Sequence, residues 1–483
     1  MPLILGTNSI KDTGYDVANS CRFNGADSAE LTLTPTAGNQ KTWTFSFWTK
    51  RTTDQIGVAD HVDSILEAGH ATNPWFVFTF NNDVLNVSQT AGTSAGWDTA
   101  AKFRDTSAWY HIVLAVDTTS STSSISNGST DRMRIFVNGV QQTLASGSVP
   151  SQNADLQWSS NVGAHLFGQS YAGQYFDGYA AEVVFIDGLA LAPTSFGEFN
   201  EDSPTIWQPI DVSGLTFGSE GYYLDFADSG NLGDDESGNG NDWTEVNLAA
   251  TDQSTDTCTN NFATLNPLSQ GVAATSRTFS EGNTAVSFGG ADDSSLSSIG
   301  VSAGKWYCEF KVTNDAANPT VGVGNESSAF VTNPGACNIG SSAGAYGYFS
   351  NGQKRGNAAS LADYGDTFTD DDIISIAFDA DNGTIWFAKN GTWQASATEG
   401  EIEAGTTTNA AFSSISMAAV TFFIGCSNSA SGTTGDAFAV NFGNPPYANS
   451  SSVADENGYG DFEYSVPDGF LALCTKNLGS DGG

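Results

Sequence analysis

Apolar residues in this chain recur at every second position. Trp43, Phe45 and Phe47 share one parity in WTFSFW, as do Phe76, Phe78 and Phe80 in WFVFTF, and Tyr110, Ile112, Leu114 and Val116 in YHIVLAVD. A helix of 3.6 residues per turn would scatter such side chains, whereas a strand lines them on one face, so the pattern predicts half-buried strands. The alternation resumes in KWYCEFKV, DDIISIAFD, TIWFAKNG and VTFFIGCS. Two stretches, MRIFVNGVQ and IWFAKNGTW, place Asn138-Gly139 and Asn390-Gly391 between apolar runs. Asn-Gly is favoured in two-residue hairpin turns because both central positions need a positive φ.

A length of 483 residues predicts two or three domains, and 53 Gly, 31 Phe and only 14% charged residues suit short strands joined by many turns. The expected architecture is all-β: two tandem antiparallel β-sandwiches. An N-terminal segment spans 1–20, the first sandwich 21–211, a turn-rich polar connector 212–275, the second sandwich 276–444 and a tail 445–483.

With 54 acidic against 16 basic residues the formal charge is -38. That field repels phosphate backbones and anionic lipid head groups, so neither nucleic acid nor a membrane is expected as a partner. No stretch reaches the ~20 apolar residues of a membrane-spanning helix, and MPLILGTNSIKD lacks the cationic start of a secretory signal. The six cysteines form no C-x-x-C pair, which argues against zinc. Cys308 and Cys426 share parity with apolar neighbours and are expected as buried thiols.

The second half resembles SPRY domains through GKWYCEFKV, AYGYFSNGQK, DDIISIAFDADNGTIWFAKNG and FAVNFGNPPY. The first half resembles laminin G-like, concanavalin A-like jelly rolls through CRFNGADSAELTL, WTFSFWTKR, WYHIVLAVD, RIFVNGV and FDGYAAEVVFIDGLAL. Both families share one sandwich architecture, which accounts for the recurring hairpin. The order of modules, with SGNGNDWTEVNL, TNNFATLNPL and PDGFLALCTKNL, is similar to proteins of tailed bacteriophages. That resemblance implies a virion protein, assembled in the host cytoplasm and exposed on the particle as a fiber or appendage. It also implies other virion proteins as partners, a homo-oligomer (a trimer foremost), and host surface glycan or protein as ligand. A capsid decoration protein without host ligand is the alternative.

No catalytic set is expected. Concanavalin A-like hydrolases place carboxylates as E-x-D-x-x-E, which is absent, and EGEIEAG with Glu399, Glu401 and Glu403 reads as a solvated acidic turn without an aromatic platform. Two G-x-S-x-G matches, at 92–96 and 340–344, lack the strand-to-helix context of a nucleophile elbow. A polysaccharide-degrading enzyme is therefore the least favoured reading. Candidate ligand residues are Gln169, Tyr171, Gln174 and Tyr175 in a Gly-rich stretch, with Trp97 beside no strand pattern, as exposed platforms for sugar faces. No cofactor is required; Ca2+ is the one candidate, on Asp228, Asp234, Asp235, Glu236 and Asp242, whose hard oxygens suit that ion.

Overall fold

The computed structural model describes residues 14–480 apart from 54, 70–74, 91–93, 122–124, 127–128, 146–149, 162, 171–172, 270–276, 291, 333–337 and 429–434. The chain is all-β and divides into two compact units, one running from Thr13 to Thr259 and the other from Asn260 onward. Each unit is an antiparallel sandwich, as the alternation predicts.

In the first unit the larger sheet runs Gln253–Ser254, Ser20–Phe23, Gly178–Asp187, Thr42–Arg51, Trp109–Asp117, Met133–Val137, with short edge strands beyond. The facing sheet runs Thr244–Val246, Glu30–Leu33, His165–Phe167, Val62–Ala68, Trp75–Asn81, Val84–Thr90, Ser94–Asp98. Trp43, Phe45 and Phe47 meet Phe76 and Phe78 between the sheets, edge-on for Trp43 on Phe76 at 5.8 Å between ring centroids and for Phe47 on Phe78 at 6.1 Å. Such tilted pairs add about 1 kcal/mol each beyond area burial.

Expected as half-buried, the central strands are buried on both faces. Thr44, Ser46, Trp48 and Lys50 point away from the core, yet all are covered. Phe196, Val212 and Phe217 form a second apolar layer on Val113, Ala115, Val184 and Ile186, and Val17 and Trp207 cover Trp48 and Tyr179. Polar groups trapped beneath must find partners. Thr44 Oγ1 donates to the Leu189 carbonyl at 2.8 Å. Lys50 Nζ meets Asp256 Oδ2 at 2.7 Å, with both side chains fully buried. His111 stacks between Trp48 and Trp207, with centroids at 4.8 and 5.9 Å. Its Nδ1 accepts from Trp207 Nε1 at 2.9 Å, so Nε2 carries the proton and donates to Ser46 Oγ at 2.9 Å. Burial holds this imidazole neutral, lowering its pKa to about 3.

The second unit repeats the plan. Its larger sheet runs Arg277–Ser280, Ala285–Phe288, Ala437–Asn441, Lys305–Asn314, Ile373–Asp379, Thr384–Lys389, Thr392–Trp393. The facing sheet is built on Phe422–Ser427, Thr320–Asn325 and Ala345–Phe349. Trp306, Cys308, Phe310 and Val312 point into the core, with Cys426 and Tyr348 opposite. Cys308 and Cys426 are buried free thiols, as expected. The outer face is covered again: Phe462, Phe470 and Ala472 pack over Tyr307, Ala377 and Trp386.

Two boundaries differ from expectation. Residues 212–259, expected within a connector, complete the first sandwich: Tyr222–Leu224 pairs with Gly178–Asp187, Thr244–Val246 with Glu30–Leu33, and Gln253–Ser254 with Ser20–Phe23. The strands are only two or three residues long, too short for their alternation to stand out among the Gly and Asp of the turns. The segment expected as a tail belongs to the second unit, where Leu471–Ala472 runs parallel to Lys305–Asn314 and Phe470, Leu473 and Leu478 are buried. Among the described residues no helix is long and apolar enough to cross a membrane.

Candidate functional site

The covered face of the second unit's larger sheet holds a recess. Its volume is about 150 Å³, and it is lined by Tyr307, Ser375, Ala388, Trp393, Glu399 and Tyr464, with Gly391 and Ser465 at its margin. Strand parity supplies the floor: Tyr307, Ser375 and Ala388 point outward because Cys308, Ile374, Ile376 and Phe387 point into the core. The Asn390-Gly391 hairpin, with φ of 47° and 75°, carries the chain into Thr392–Trp393 and so sets Trp393 at the wall. Opposite stands Tyr464, held by its own backbone: the N–H groups of Glu463 and Tyr464 donate to Glu309 Oε2 and Oε1 at 3.0 and 2.9 Å.

Glu309 is the anchor of this arrangement. It is fully buried and also accepts from Asn441 Nδ2 at 3.1 Å and from the Tyr307 hydroxyl at 3.0 Å. Burial pushes its carboxyl up to about 7, against the opposing pull of these donors. Because the Tyr307 proton goes to the carboxylate, Ser375 Oγ, 3.0 Å away, is the donor to the phenolic oxygen.

Glu399 sits at the lip. Expected in a solvated acidic turn, it opens a short helix, Glu399–Glu403, whose capping box closes with Glu401 Oε2 accepting from the Thr398 N–H at 2.9 Å. The missing aromatic platform is supplied from a distance, by Trp393 and by Tyr464. Sequence reading passed over both, because nothing local ties a residue of the C-terminal stretch to a hairpin some seventy positions earlier. The alternation of Phe462 and Tyr464 was the available signal: the first packs edge-on against Tyr307 at 5.0 Å and the second lines the recess.

The residues singled out from sequence fare differently. Trp97, expected as an exposed platform, is 2% exposed and belongs to the first core. It lies on the edge strand Ser94–Asp98 opposite Val87, where Gly96 and Asp98 mask the alternation. Gln169 and Tyr175 do come together, on the short ribbon Gln169–Ser170 and Gln174–Tyr175, but Gln169 Nε2 spends its bond on the Tyr175 hydroxyl at 2.8 Å. Gln174 Oε1 accepts from Ser170 Oγ at 3.4 Å, and Tyr171 lies outside the described residues.

The acidic cluster turns inward on its own loop. Asp235 Oδ1 accepts from the N–H groups of Tyr223 and Ser237, both at 2.9 Å, and Oδ2 from that of Asn241 at 2.8 Å. Asp242 accepts from the Asp235 N–H at 3.1 Å, Asp228 from that of Gly230 at 2.8 Å, and Asp234 from Asn231 Nδ2 at 3.2 Å. Glu236 is pushed up by the charge of Asp225. Among the described residues no three His, Cys, Asp or Glu side chains are placed to hold a metal. Of the expected Ca2+ ligands, Asp228, Asp235 and Asp242 thus act as turn-forming residues that accept from backbone amides of the same loop, while Asp234 accepts from a side-chain amide.

Two family models match the chain in turn. Residues 23–193 match the family model described as the concanavalin A-like lectin/glucanases superfamily, and residues 305–443 match the SPRY domain model. No curated protein matches the chain. Among solved structures, a heptameric SAP-like pentraxin from Limulus polyphemus is 14% identical over 37% of this chain and 80% of its own, at a TM-score of 0.27. The SPRY domain of human HERC1 is 18% identical over 32% of this chain and 86% of its own, at 0.24. A putative carbohydrate binding protein from Bacteroides ovatus is 16% identical over 48% of this chain and 58% of its own, at 0.32. Tyr464 and Ser465 lie beyond the SPRY match, so the recess joins strands of that domain to a segment added to it. The chain thus carries a concanavalin A-like domain match followed by a SPRY domain match, in that order.

Proposed function

We propose that this protein is a non-catalytic binding protein of a tailed-phage particle, displayed as a fiber or appendage and recognising host surface glycan or protein. The observation that carries the binding role is the recess itself: two aromatic side chains, hydroxyl groups and a single lining carboxylate, Glu399. Glycoside hydrolysis by the usual route needs two carboxyl groups flanking the bond, whereas stacking on a sugar face needs what is present. The particle setting rests on the module order and the sequence resemblance to phage proteins. Its partners there are other virion proteins and further copies of the chain, as a trimer, and repeated copies multiply weak contacts by ~10²- to 10⁴-fold in avidity. The charge of -38 supports a role that avoids nucleic acid and membranes.

A decoration protein without host ligand is supported by one observation. In both units the outer face of the larger sheet is closed by the chain's own segments, which leaves little open sheet for a ligand. A glycan and host-protein array separates the two, together with antibody labelling of purified particles. Array binding plus particle labelling is expected. Labelling without any binding leaves the decoration role, and absence from particles overturns the phage setting.

A further inference from the structure

We infer that the recess of the second unit takes a single sugar ring bearing a free ammonium group, such as the terminal 2-amino-2-deoxyhexose of a deacetylated glycan. The inference rests on reading that recess as the ligand site and adds the ligand's size and charge. About 150 Å³ is below the 300–1,000 Å³ of sites for drug-sized molecules and suits one ring. Trp393 and Tyr464, both half-buried, offer ring faces for the C–H surface of a pyranose, and aromatic faces also attract cations. The exposed Ser465 hydroxyl matches a ring hydroxyl, and Ser375 Oγ, whose proton goes to Tyr307, is left to accept from another.

Charge chooses among sugars. Glu399 is the charged residue lining the recess, and its carboxyl is raised by partial burial and by the nearby charges of Glu403 and Asp468. Around Tyr464 lie Glu463, Glu309 and Asp372. The neighbouring cations are engaged: Lys305 Nζ donates to the Glu403 carbonyl at 3.3 Å, and Lys389 Nζ pairs with Asp372 at 3.0 Å. A sialic or uronic acid is repelled here, and an N-acetylated ring gains nothing from Glu399. An ammonium gains an ion pair with Glu399 and relieves the repulsion among the carboxylates.

The test is calorimetric titration of the full chain at low salt with a glucosamine trisaccharide, its N-acetylated counterpart, cellotriose and choline. The glucosamine trisaccharide is expected to bind most tightly, to weaken with added salt, and to lose about tenfold in affinity in Glu399→Gln, an exposed substitution that spares the fold. Equal binding of the acetylated sugar, or indifference to Glu399→Gln, overturns the ammonium. Choline binding as tight as the sugar overturns the ring. Array binding that survives Trp393→Ala, in a variant shown folded by its unfolding transition, overturns the recess while leaving the display role intact. No binding to any glycan or host protein overturns that role as well.

Discussion

Lys50 and Asp256 meet fully buried: Asp256 accepts from Lys50 Nζ at 2.7 Å and from Trp109 Nε1 at 3.1 Å. Removing one partner of such a pair strands the other charge, a loss of about 3–5 kcal/mol. Asp256→Ala is expected to lower the stability of the first sandwich by that amount, read as a shift of its urea midpoint at unchanged slope. Glu182 poses a subtler case. It interrupts the apolar run YAAEVVF at a bulge, with φ of 49° and a register shift between Ala181 and Val184. There Tyr223 donates to its carboxylate at 2.9 Å, and burial raises its pKa to about 7. A carboxyl raised on folding is bound to its proton more tightly in the native state, so its contribution is greatest below the unfolded value near 4.5 and is lost as pH rises toward 7. Stability is expected to fall on the order of 3 kcal/mol across that window through Glu182, and Glu182→Gln is expected to remove that share of the slope while the share of Glu309 in the second unit remains. Matched urea titrations of the two proteins at several pH values check it.

At the scale of elements, the two hairpins show what local chemistry can announce. Asn138 and Gly139 adopt φ of 48° and 75°, nearly the values of Asn390 and Gly391, and each turn joins strands in the register its sequence suggests. The helix Glu399–Glu403 announced itself less well, since five residues give no periodicity and only the capping box marks it. Gly391 also reaches into the site: a Cβ there would come within 2.7 Å of the Tyr464 ring. Gly391→Ala is expected to cost about 1–2 kcal/mol from its positive φ and to displace Tyr464. The measurement is a lowered melting temperature together with weaker glycan binding, whereas Gly400→Ala, in open space within the helix, should lower neither.

At the scale of the molecule, each family match stops short of the unit that folds. The concanavalin A-like match ends at 193 and the SPRY match at 443, yet the units continue to 259 and past 470. A fragment of residues 13–259 is expected to give a cooperative unfolding transition, and one of residues 21–211 is not. The shorter piece lacks Tyr222, Leu224, Phe226, Leu232 and Trp243 from its core and Asp256 from beneath Trp109. Circular dichroism melts of the two fragments decide the matter. The sequence by itself determined the longer strands, their inward faces, the two turns and the pair of sandwiches, because parity and turn chemistry act between neighbours along the chain. Only the tertiary structure decided that the outer faces are covered, that Trp97 is core, and that Trp393, Glu399 and Tyr464 share a recess. Those outcomes depend on which distant segment wins the burial of a given face, and no pattern within a few residues carries that competition.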